Sequence, residues 1–362
     1  MSDESYIKLT LELAKKGAGN VSPNPLVGCV IIKNEKIIGA GYHEEYGGNH
    51  AEVNAINSAR ESVEGATLYV NLEPCSHFGK TPPCVDKIIE SRIGKVVIGT
   101  LDMNPLVSGK GIKKLKAAGL EVSVGKLEKD CIELNKFFFK YITKNLPYVS
   151  LKAAQTLDGK IADFKGDSRW ISSTLSRKHV HLLRSRYDAV LVGAGTIRTD
   201  NPRLTVRLME GRNPKRIILN SKLNLSTKHR IFTDNGDKNL IVVTSRNNLS
   251  KKAKLKKLTD LGVTIIFAKE NANGLINLKS ALSELAKHQI TSILVEGGSE
   301  VYSSFIKEKL YDNILLFIAP KFLGNGIPFA NINESGILKN AEKFKSINVE
   351  TYDSDLLVEL SR

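Results

Sequence analysis

The sequence has few cysteines and no long apolar segment, and each shortage excludes a class of protein. Four cysteines in 362 residues are too few for the disulfide framework of a small secreted domain. No run approaches the ~18 consecutive apolar residues of a membrane-spanning helix. The first five residues are polar or acidic after Met1, so we expect no secretory signal. With 41% hydrophobic and 25% charged residues, the composition indicates a soluble globular protein in a reducing compartment.

Length and charge indicate two domains. Single cores usually stop growing at roughly 250–300 residues, and the pattern restarts around Pro147, which disfavours a helix before it. We therefore predict domains at 1–145 and 146–362. The net charge is +15, with 19 basic against 17 acidic residues in 1–145 and 34 against 21 in the remainder. The basic second half favours phosphate-bearing ligands, although a solvated lysine-rich surface explains it equally well.

Both halves alternate predicted strands with predicted helices, which indicates α/β layers. In the first half we predict strands at 27–33, 36–41, 67–71, 95–100 and 120–124, and helices at 3–16 (capped by Asp3), 50–62, 84–91, 113–118 and 128–141. In the second half we predict strands at 148–154, 189–193, 216–220, 240–244, 263–268, 292–296, 313–318 and 355–360, and helices at 176–186, 251–261, 278–288 and 300–309. Beyond Asn331 we interpret no motif.

One histidine, one glutamate and two cysteines form the strongest chemical motif. His50-Ala51-Glu52 is followed by Pro74-Cys75 and by Cys84, a pattern typical of zinc nucleobase deaminases. Three protein ligands leave a fourth position on zinc open for water, as in catalytic sites, and zinc lowers the pKa of that water toward ~7. We predict that His50, Cys75 and Cys84 bind zinc, and that Glu52 transfers protons to and from the reacting water.

Other interpretations of this motif remain open. A closed structural site would need a fourth ligand such as His43, His77 or Cys29; otherwise Cys29 and Cys131 are predicted core residues. The eight residues between the two motif cysteines exceed the usual two. Rival functions are a nucleic-acid base editor, which the nearly neutral first half disfavours, and a non-catalytic protein that zinc stabilises.

Four segments of the first half, 24–28, 41–43, 50–52 and 74–84, together resemble the deaminase domain of the bacterial bifunctional riboflavin biosynthesis (RibD or RibG) family. The long cysteine spacing separates this family from cytidine and tRNA-adenosine deaminases. The resemblance implies a cytidine-deaminase-like three-layer α/β/α domain with one zinc ion. It also implies a substrate pocket lined by Asn24, His43, His77 and Lys80.

Segments 152–160, 168–172, 193–207 and 295–302 resemble the reductase domain of the same family, a dihydrofolate-reductase-like α/β domain. Arg198 stands where the Rossmann fingerprint needs a third small residue, which excludes that fingerprint. Trp170, the single tryptophan, could pack on a ring or anchor the core. The resemblance implies NADPH contacts by Ala154, Trp170, Thr196, Asp200, Ser221, Gly298 and Ser299. It implies substrate contacts by Ser168, Arg184, Leu204, Arg207 and Glu296.

The function implied is a bifunctional hydrolase and oxidoreductase of riboflavin biosynthesis. It would deaminate 2,5-diamino-6-(5-phosphoribosylamino)pyrimidin-4(3H)-one with zinc-activated water, then reduce the ribosyl chain with NADPH to give 5-amino-6-(5-phosphoribitylamino)uracil. We expect a cytoplasmic homo-oligomer that acts on a small phosphorylated pyrimidine, with no nucleic-acid or membrane partner. One active domain joined to a degenerate one is the remaining alternative, which the complete motifs disfavour.

Overall fold

The computed structural model describes residues 1–105, 107–332, 339 and 341–362. The chain divides into two compact units, a first unit of Met1–Asn145 and a second unit of Leu146–Arg362. Within the described ranges, every helix is too short or too polar to cross a membrane.

The first unit is built on a five-stranded mixed sheet. Its strands are β1 (Gly28–Lys33), β2 (Lys36–Tyr42), β3 (Thr67–Leu72), β4 (Lys95–Thr100) and β5 (Glu121–Val124). Their order is β2-β1-β3-β4-β5; β1 is antiparallel to both neighbours, whereas β3, β4 and β5 are parallel. The helices are α1 (Asp3–Lys15), α2 (Ala51–Asn57), α3 (Cys84–Glu90), α4 (Lys110–Ala117), α5 (Glu128–Leu134) and α6 (Lys136–Lys144).

Alternation along the strands produces two cores, one on each face of this sheet. In β1, Val30 and Ile32 pack with residues of α1 and with Cys131 of α5, whereas Cys29 and Ile31 pack with residues of α2, α3 and α4. Successive side chains of a strand point to opposite faces, so one strand serves both cores. The unit therefore has the three α/β/α layers that we expected, and Cys29 and Cys131 are confirmed as core residues.

The second unit contains a nine-stranded mixed sheet and a two-stranded ribbon. Along the large sheet the order is β11-β10-β9-β8-β12-β6-β13-β16-β15, parallel as far as β13 and antiparallel beyond it; β7 pairs with β14. The strands are β6 (Tyr148–Thr156), β7 (Lys160–Asp163), β8 (Ala189–Gly193), β9 (Lys215–Leu219), β10 (Leu240–Ser245), β11 (Thr264–Ala268), β12 (Ser292–Val295), β13 (Asn313–Ala319), β14 (Gly326–Pro328), β15 (Ser346–Tyr352) and β16 (Asp355–Ser361). The helices are α7 (Thr174–Arg186), α8 (Ala194–Asp200), α9 (Arg230–Thr233), α10 (Lys252–Asp260), α11 (Leu278–Lys287), α12 (Ser299–Lys307) and the 3₁₀ helix Arg246–Ser250.

Several predicted boundaries are wrong, for physical reasons that the structure gives. Helix α2 stops at Asn57, because the Ser58 hydroxyl donates to Ala40 O at 2.8 Å and accepts from Ala40 N at 2.9 Å. The predicted helix 128–141 is broken at Asn135, whose side chain binds both main-chain groups of Leu26. Ser2, rather than Asp3, caps α1. Elements β7, β14, β15, α8, α9 and the 3₁₀ helix were not predicted, and the stretch beyond Asn331 falls partly outside the described residues.

Candidate active sites

Three elements of the first unit converge on one group of metal-ligand atoms. His50 immediately precedes α2, Cys75 follows β3, and Cys84 begins α3. The ligand atoms of these three residues all lie within 4.8 Å of one another. The His50 Nδ1 atom lies 3.1 Å from Cys84 Sγ and 3.5 Å from Cys75 Sγ. We refer to these residues as the three-ligand group.

The donor atoms of this group fit zinc. One imidazole nitrogen and two sulfurs are donors that zinc prefers, and catalytic sites use three protein ligands. Among the described residues, no fourth histidine, cysteine or carboxylate joins the group. Hydrogen bonds with Cys84 and with His50 lower the pKa of the Cys75 thiol to about 4, so this sulfur is readily available as a thiolate ligand. The arrangement favours an open catalytic site over the closed structural alternative.

Glu52 lies beside the three-ligand group in the first turn of α2. Its carboxyl is buried and within hydrogen-bonding reach of the Cys84 thiol. Burial raises the pKa of Glu52, so the group accepts a proton more readily than a solvated carboxylate does. A buried carboxyl with a raised pKa suits proton transfer near neutral pH.

A cavity of about 220 Å³, the small cavity, opens beside this group. Asn24, His43, His77 and Lys80 all line it, together with His50, Glu52 and Cys75, whereas Cys84 lies outside the lining. His43 is buried, and burial lowers its pKa. Its Nδ1 lies 2.9 Å from Asn49 O and its Nε2 lies 3.1 Å from Asn24 Nδ2. A neutral imidazole that donates at Nδ1 and accepts at Nε2 satisfies both contacts.

The sequence analysis missed a wall of the small cavity. Glu73 is buried and accepts hydrogen bonds from the main-chain N–H groups of Asp102, Gly109 and Gly111 at 3.3, 2.9 and 3.0 Å. Burial raises the pKa of Asp102, which also lines the cavity, to about 6. A glutamate directly after the apolar strand β3 was the available signal. Tyr46, Thr81 and Asn104, also missed, line the same cavity.

A second cavity of about 1300 Å³, the large cavity, lies in the second unit. It opens where the parallel strands β8, β9 and β12 reach their carboxyl ends, the usual ligand position in α/β sheets. Its lining includes every residue that the resemblance implied for the reductase: Ala154, Ser168, Trp170, Arg184, Thr196, Asp200, Leu204, Arg207, Ser221, Glu296, Gly298 and Ser299.

Two glycine turns meet at the centre of this lining. Gly193 ends β8, and a Cβ added there would lie 2.7 Å from Val301 Cγ2, so a larger residue would force Val301 to shift. Gly297 has φ +131°, a conformation that favours glycine, and its carbonyl accepts from Gly193 N at 3.2 Å. These turns bring Thr196 beside Gly298 at the start of α12. Main-chain N–H groups at such a helix start can bind phosphate.

An ion-pair cluster occupies one side of the large cavity. Glu296 accepts two hydrogen bonds from Arg184, Nε to Oε1 at 2.6 Å and Nη2 to Oε2 at 2.8 Å. The Lys152 Nζ lies 4.0 Å from Glu296 Oε2. Burial opposes ionisation, but the charges of Arg184 and Lys152 hold the pKa of Glu296 at about 2. Lys152 was missed, although a lysine within the apolar segment 149–154 was a visible signal.

Trp170 does not anchor the core. The residue is 71% exposed, and the Arg177 guanidinium lies 4.6 Å from the centre of its ring. Lys321 Nζ donates to the carbonyls of Trp170 and Ile171 at 2.6 and 3.0 Å. The indole is therefore available at the rim of the large cavity, and the core-anchor interpretation is wrong.

Comparison with known proteins identifies the family. The model of the RibD C-terminal domain matches residues 147–358, and that of the cytidine and deoxycytidylate deaminase zinc-binding region matches residues 1–100. The riboflavin biosynthesis protein RibD of Aquifex aeolicus is 45% identical to this chain, over 99% of this chain and 98% of the relative. The chain belongs to the RibD family.

Other RibD relatives agree in sequence and structure. RibD of Escherichia coli is 37% identical over 90% of this chain and 89% of its own. A crystal structure from Thermotoga maritima, described as a diaminohydroxyphosphoribosylaminopyrimidine deaminase/5-amino-6-(5-phosphoribosylamino)uracil reductase, is 46% identical with a TM-score of 0.87, over 99% of this chain and 98% of that one. RibD of Acinetobacter baumannii is 35% identical with a TM-score of 0.89, at the same coverage.

These matches confirm the predicted fold class. As a RibD-family protein, the chain is a bifunctional deaminase and reductase of riboflavin biosynthesis, with a zinc-binding deaminase domain and an NADPH-dependent reductase domain.

Proposed function

We propose that residues 1–145 deaminate 2,5-diamino-6-(5-phosphoribosylamino)pyrimidin-4(3H)-one, and that residues 146–362 reduce the ribosyl chain of the product. The observation that carries the first activity is the buried Glu52 carboxyl beside the three-ligand group. The ion-pair cluster and glycine turns of the large cavity support the second. The named activities of the Thermotoga maritima relative support both.

In the first reaction, water replaces the 2-amino group of the pyrimidine. A zinc ion on His50, Cys75 and Cys84 would act as a Lewis acid and supply a nucleophile near neutral pH. Glu52 accepts the proton of the attacking water and returns it to the departing nitrogen, so one water is consumed and one ammonia is released. Asn24 and His43 position the ring, while His77 and Lys80, both exposed at the small cavity, meet the phosphorylated side chain.

In the second reaction, NADPH would supply hydride to C1′ of the ring-opened ribosyl imine, and a proton from solvent water would complete the amine at the imine nitrogen. The chain binds and orients the two reactants, which is a large part of such catalysis. Arg207 suits a phosphate ester because guanidinium groups bind it in bidentate fashion, whereas the Arg184 guanidinium already holds the Glu296 carboxylate and Thr205 O. The proposed cofactor contacts are Ala154, Trp170, Thr196, Asp200, Ser221, Gly298 and Ser299. The proposed substrate contacts are Ser168, Arg184, Leu204, Arg207 and Glu296.

A small phosphorylated pyrimidine fits the first unit better than a nucleic acid. The small cavity holds about 220 Å³, and residues 1–145 carry 19 basic against 17 acidic residues, whereas nucleic-acid binding needs a basic surface. We also propose a cytoplasmic location, which the four unpaired cysteines support. A homo-oligomeric state is a further proposal, tested by sedimentation of the full chain.

The two activities are tested together on the purified, zinc-loaded full chain. We expect the diaminopyrimidine to release one equivalent of ammonia, and NADPH absorbance to fall only after this release. The deaminated intermediate, supplied directly, should oxidise NADPH without ammonia release. Absence of ammonia from the zinc-loaded protein contradicts the first proposal, and absence of NADPH oxidation with the intermediate contradicts the second.

A further inference from the structure

The proposed function leaves one buried histidine of the second unit without a role. His181 lies on α7, one helical turn before Arg184, and only 5% of its surface is exposed. It lines the large cavity. Its Nδ1 accepts a hydrogen bond from the main-chain N–H of Arg207 at 2.9 Å. His181 therefore joins α7 to the segment 204–207, which carries two of the proposed substrate contacts.

The segment 204–207 has no regular secondary structure, so side chains hold it in place. Val206 N donates to Asn213 Oδ1 at 2.9 Å, and Thr205 O accepts from Arg184 Nη1 at 3.1 Å. The Arg207 guanidinium is fixed to the same segment, because its Nη1 donates to Thr205 Oγ1 at 2.9 Å. A shift of the Arg207 main chain would therefore move its guanidinium as well.

The surroundings of His181 keep it able to accept this bond. A histidine accepts only through an unprotonated nitrogen, so the imidazole must be neutral. Burial, followed by the positive charges of Arg184 and Arg207, lowers the pKa of His181 to about 4; Lys152 acts in the same direction and Glu296 opposes it. The positive charges of Arg184 and Arg207 suit an anionic substrate. The same charges keep the His181 imidazole neutral, so that it can accept the hydrogen bond.

We propose that His181 is a positioning residue for a phosphate monoester: it holds the Arg207 main chain so that the guanidinium meets the phosphate of the reductase substrate. The inference rests on the proposed role of Arg207 as a substrate contact. His181 itself touches neither the phosphate nor the reacting carbon. It acts through Arg207, so its removal should weaken substrate binding and leave the hydride step unchanged.

The test compares three variants of the zinc-loaded full chain. His181→Phe keeps a ring but removes the acceptor, His181→Leu removes both, and His181→Asn restores an acceptor oxygen near the position of Nδ1. Loss of one buried hydrogen bond should raise KM for the deaminated, phosphorylated substrate about tenfold in the Phe and Leu variants. We expect kcat, KM for NADPH and ammonia release to stay unchanged, and His181→Asn to recover most of the loss. With the dephosphorylated substrate the variants should equal the wild type.

Arg207→Ala separates this inference from the function on which it rests. If Arg207→Ala leaves KM for the phosphorylated substrate unchanged, the proposed role of Arg207 fails. If Arg207→Ala raises that KM but His181→Phe does not, the role of His181 is wrong while the proposed function stands. Equal losses with phosphorylated and dephosphorylated substrates, or a failure of all three His181 variants to fold, would show a structural role and overturn the proposal.

Discussion

The functional groups lie close together in the first unit, whereas those of the second unit are spread around a large cavity. In the first unit, the metal-ligand atoms of three residues lie within 4.8 Å of one another, beside a cavity of about 220 Å³. In the second unit, the contacts are spread around a cavity of about 1300 Å³ that draws on strands, helix starts and loops. Chemistry that depends on a few atoms should fail when one is lost, whereas binding that is shared among many contacts should weaken by degrees.

The two sites also differ in the charges that they hold. The first site buries the neutral imidazole of His43 and the carboxyl of Glu52. Burial raises the pKa of this carboxyl. The second surrounds Glu296 with Arg184 and Lys152, and Arg207 adds a third cation at the same cavity. Groups of the first kind transfer protons, whereas clustered cations attract and orient anions.

Removal of zinc should separate the two sites most completely. We expect a chelator to abolish ammonia release, while NADPH oxidation with the deaminated intermediate continues, because the ligand group lies within the first unit. Readdition of zinc should restore ammonia release. Calorimetry checks the rival function: a purely structural ion would leave its unit unfolded when removed, whereas a catalytic ion leaves it largely folded. Loss of both activities together would show that the second site also depends on zinc, and would contradict this prediction.

Glu52→Gln should lower the rate of ammonia release by about 10²–10⁴-fold, the usual contribution of general acid–base catalysis. The amide keeps the size of the side chain but cannot carry the proton. Zinc content by mass spectrometry and NADPH oxidation with the intermediate serve as internal controls, and both should match the wild type. If the variant keeps its zinc and its full rate of ammonia release, Glu52 does not transfer the proton.

The sequence predicts features whose cause is local. His50 and Glu52 belong to one short motif, and the strands that precede Cys75 and Gly193 are apolar enough to be recognised. The helix start and the strand ends then bring such residues to one edge of a sheet. Both α/β domains of the fold class were predictable for this reason.

Features with a distant cause could not be predicted in this way. Asn135 breaks a helix because its side chain binds Leu26, 109 residues earlier in the chain. Glu73 forms a wall of the small cavity through N–H groups 29–38 residues later. Strand β15 is nearly all exposed and pairs with β16, and the alternation of Ile347 and Val349 with polar residues was a strand signal that the sequence analysis missed. The His181 contact spans 26 residues to a segment without periodicity.

Arg184→Met should show a large but graded effect in the second unit. It leaves Glu296 without its bidentate partner, a loss that typically costs about 3–5 kcal/mol of stability in buried pairs. Lys152 Nζ remains 4.0 Å from Glu296 Oε2 and should make the loss of stability smaller. We expect a lower melting temperature for this unit and a higher substrate KM, with ammonia release unchanged. Arg184→Lys, which keeps the charge but loses the bidentate geometry, is the matched variant.

The same cluster predicts a pH dependence of stability. Glu296 has a folded-state pKa of about 2, below its ordinary value of 4.5, so its ionised form stabilises the second unit at neutral pH. This contribution should be lost as pH falls from about 4.5 toward about 2. Denaturant unfolding across that range should show a steeper loss of free energy in the wild type than in Glu296→Gln. Parallel curves would show that the pair contributes no pH-dependent stability.

Thr81→Val should have the smallest effect, and it tests whether the first site depends only on its three ligands. The Thr81 hydroxyl lies 3.3 Å from His50 Nε2, on the opposite side of the ring from the Nδ1 that faces the two sulfurs. Accepting the Nε2 proton would fix the tautomer that leaves Nδ1 free for a metal. Loss of such a partner typically weakens metal binding about 10–100-fold.

Competition with a chromogenic chelator measures this zinc affinity directly, and Thr81→Ser, which keeps the hydroxyl, should bind zinc as the wild type does. Thr81 also lines the small cavity, so a change in substrate KM at saturating zinc, without a change in zinc affinity, would assign it to the substrate instead. A graded loss of zinc would show that the first site, too, shares part of its function with residues outside the ligand group. The two units would then differ in where the supporting residues lie. Those of the first site belong to the segment between its own two cysteines, whereas those of the second site come from elements throughout its sheet.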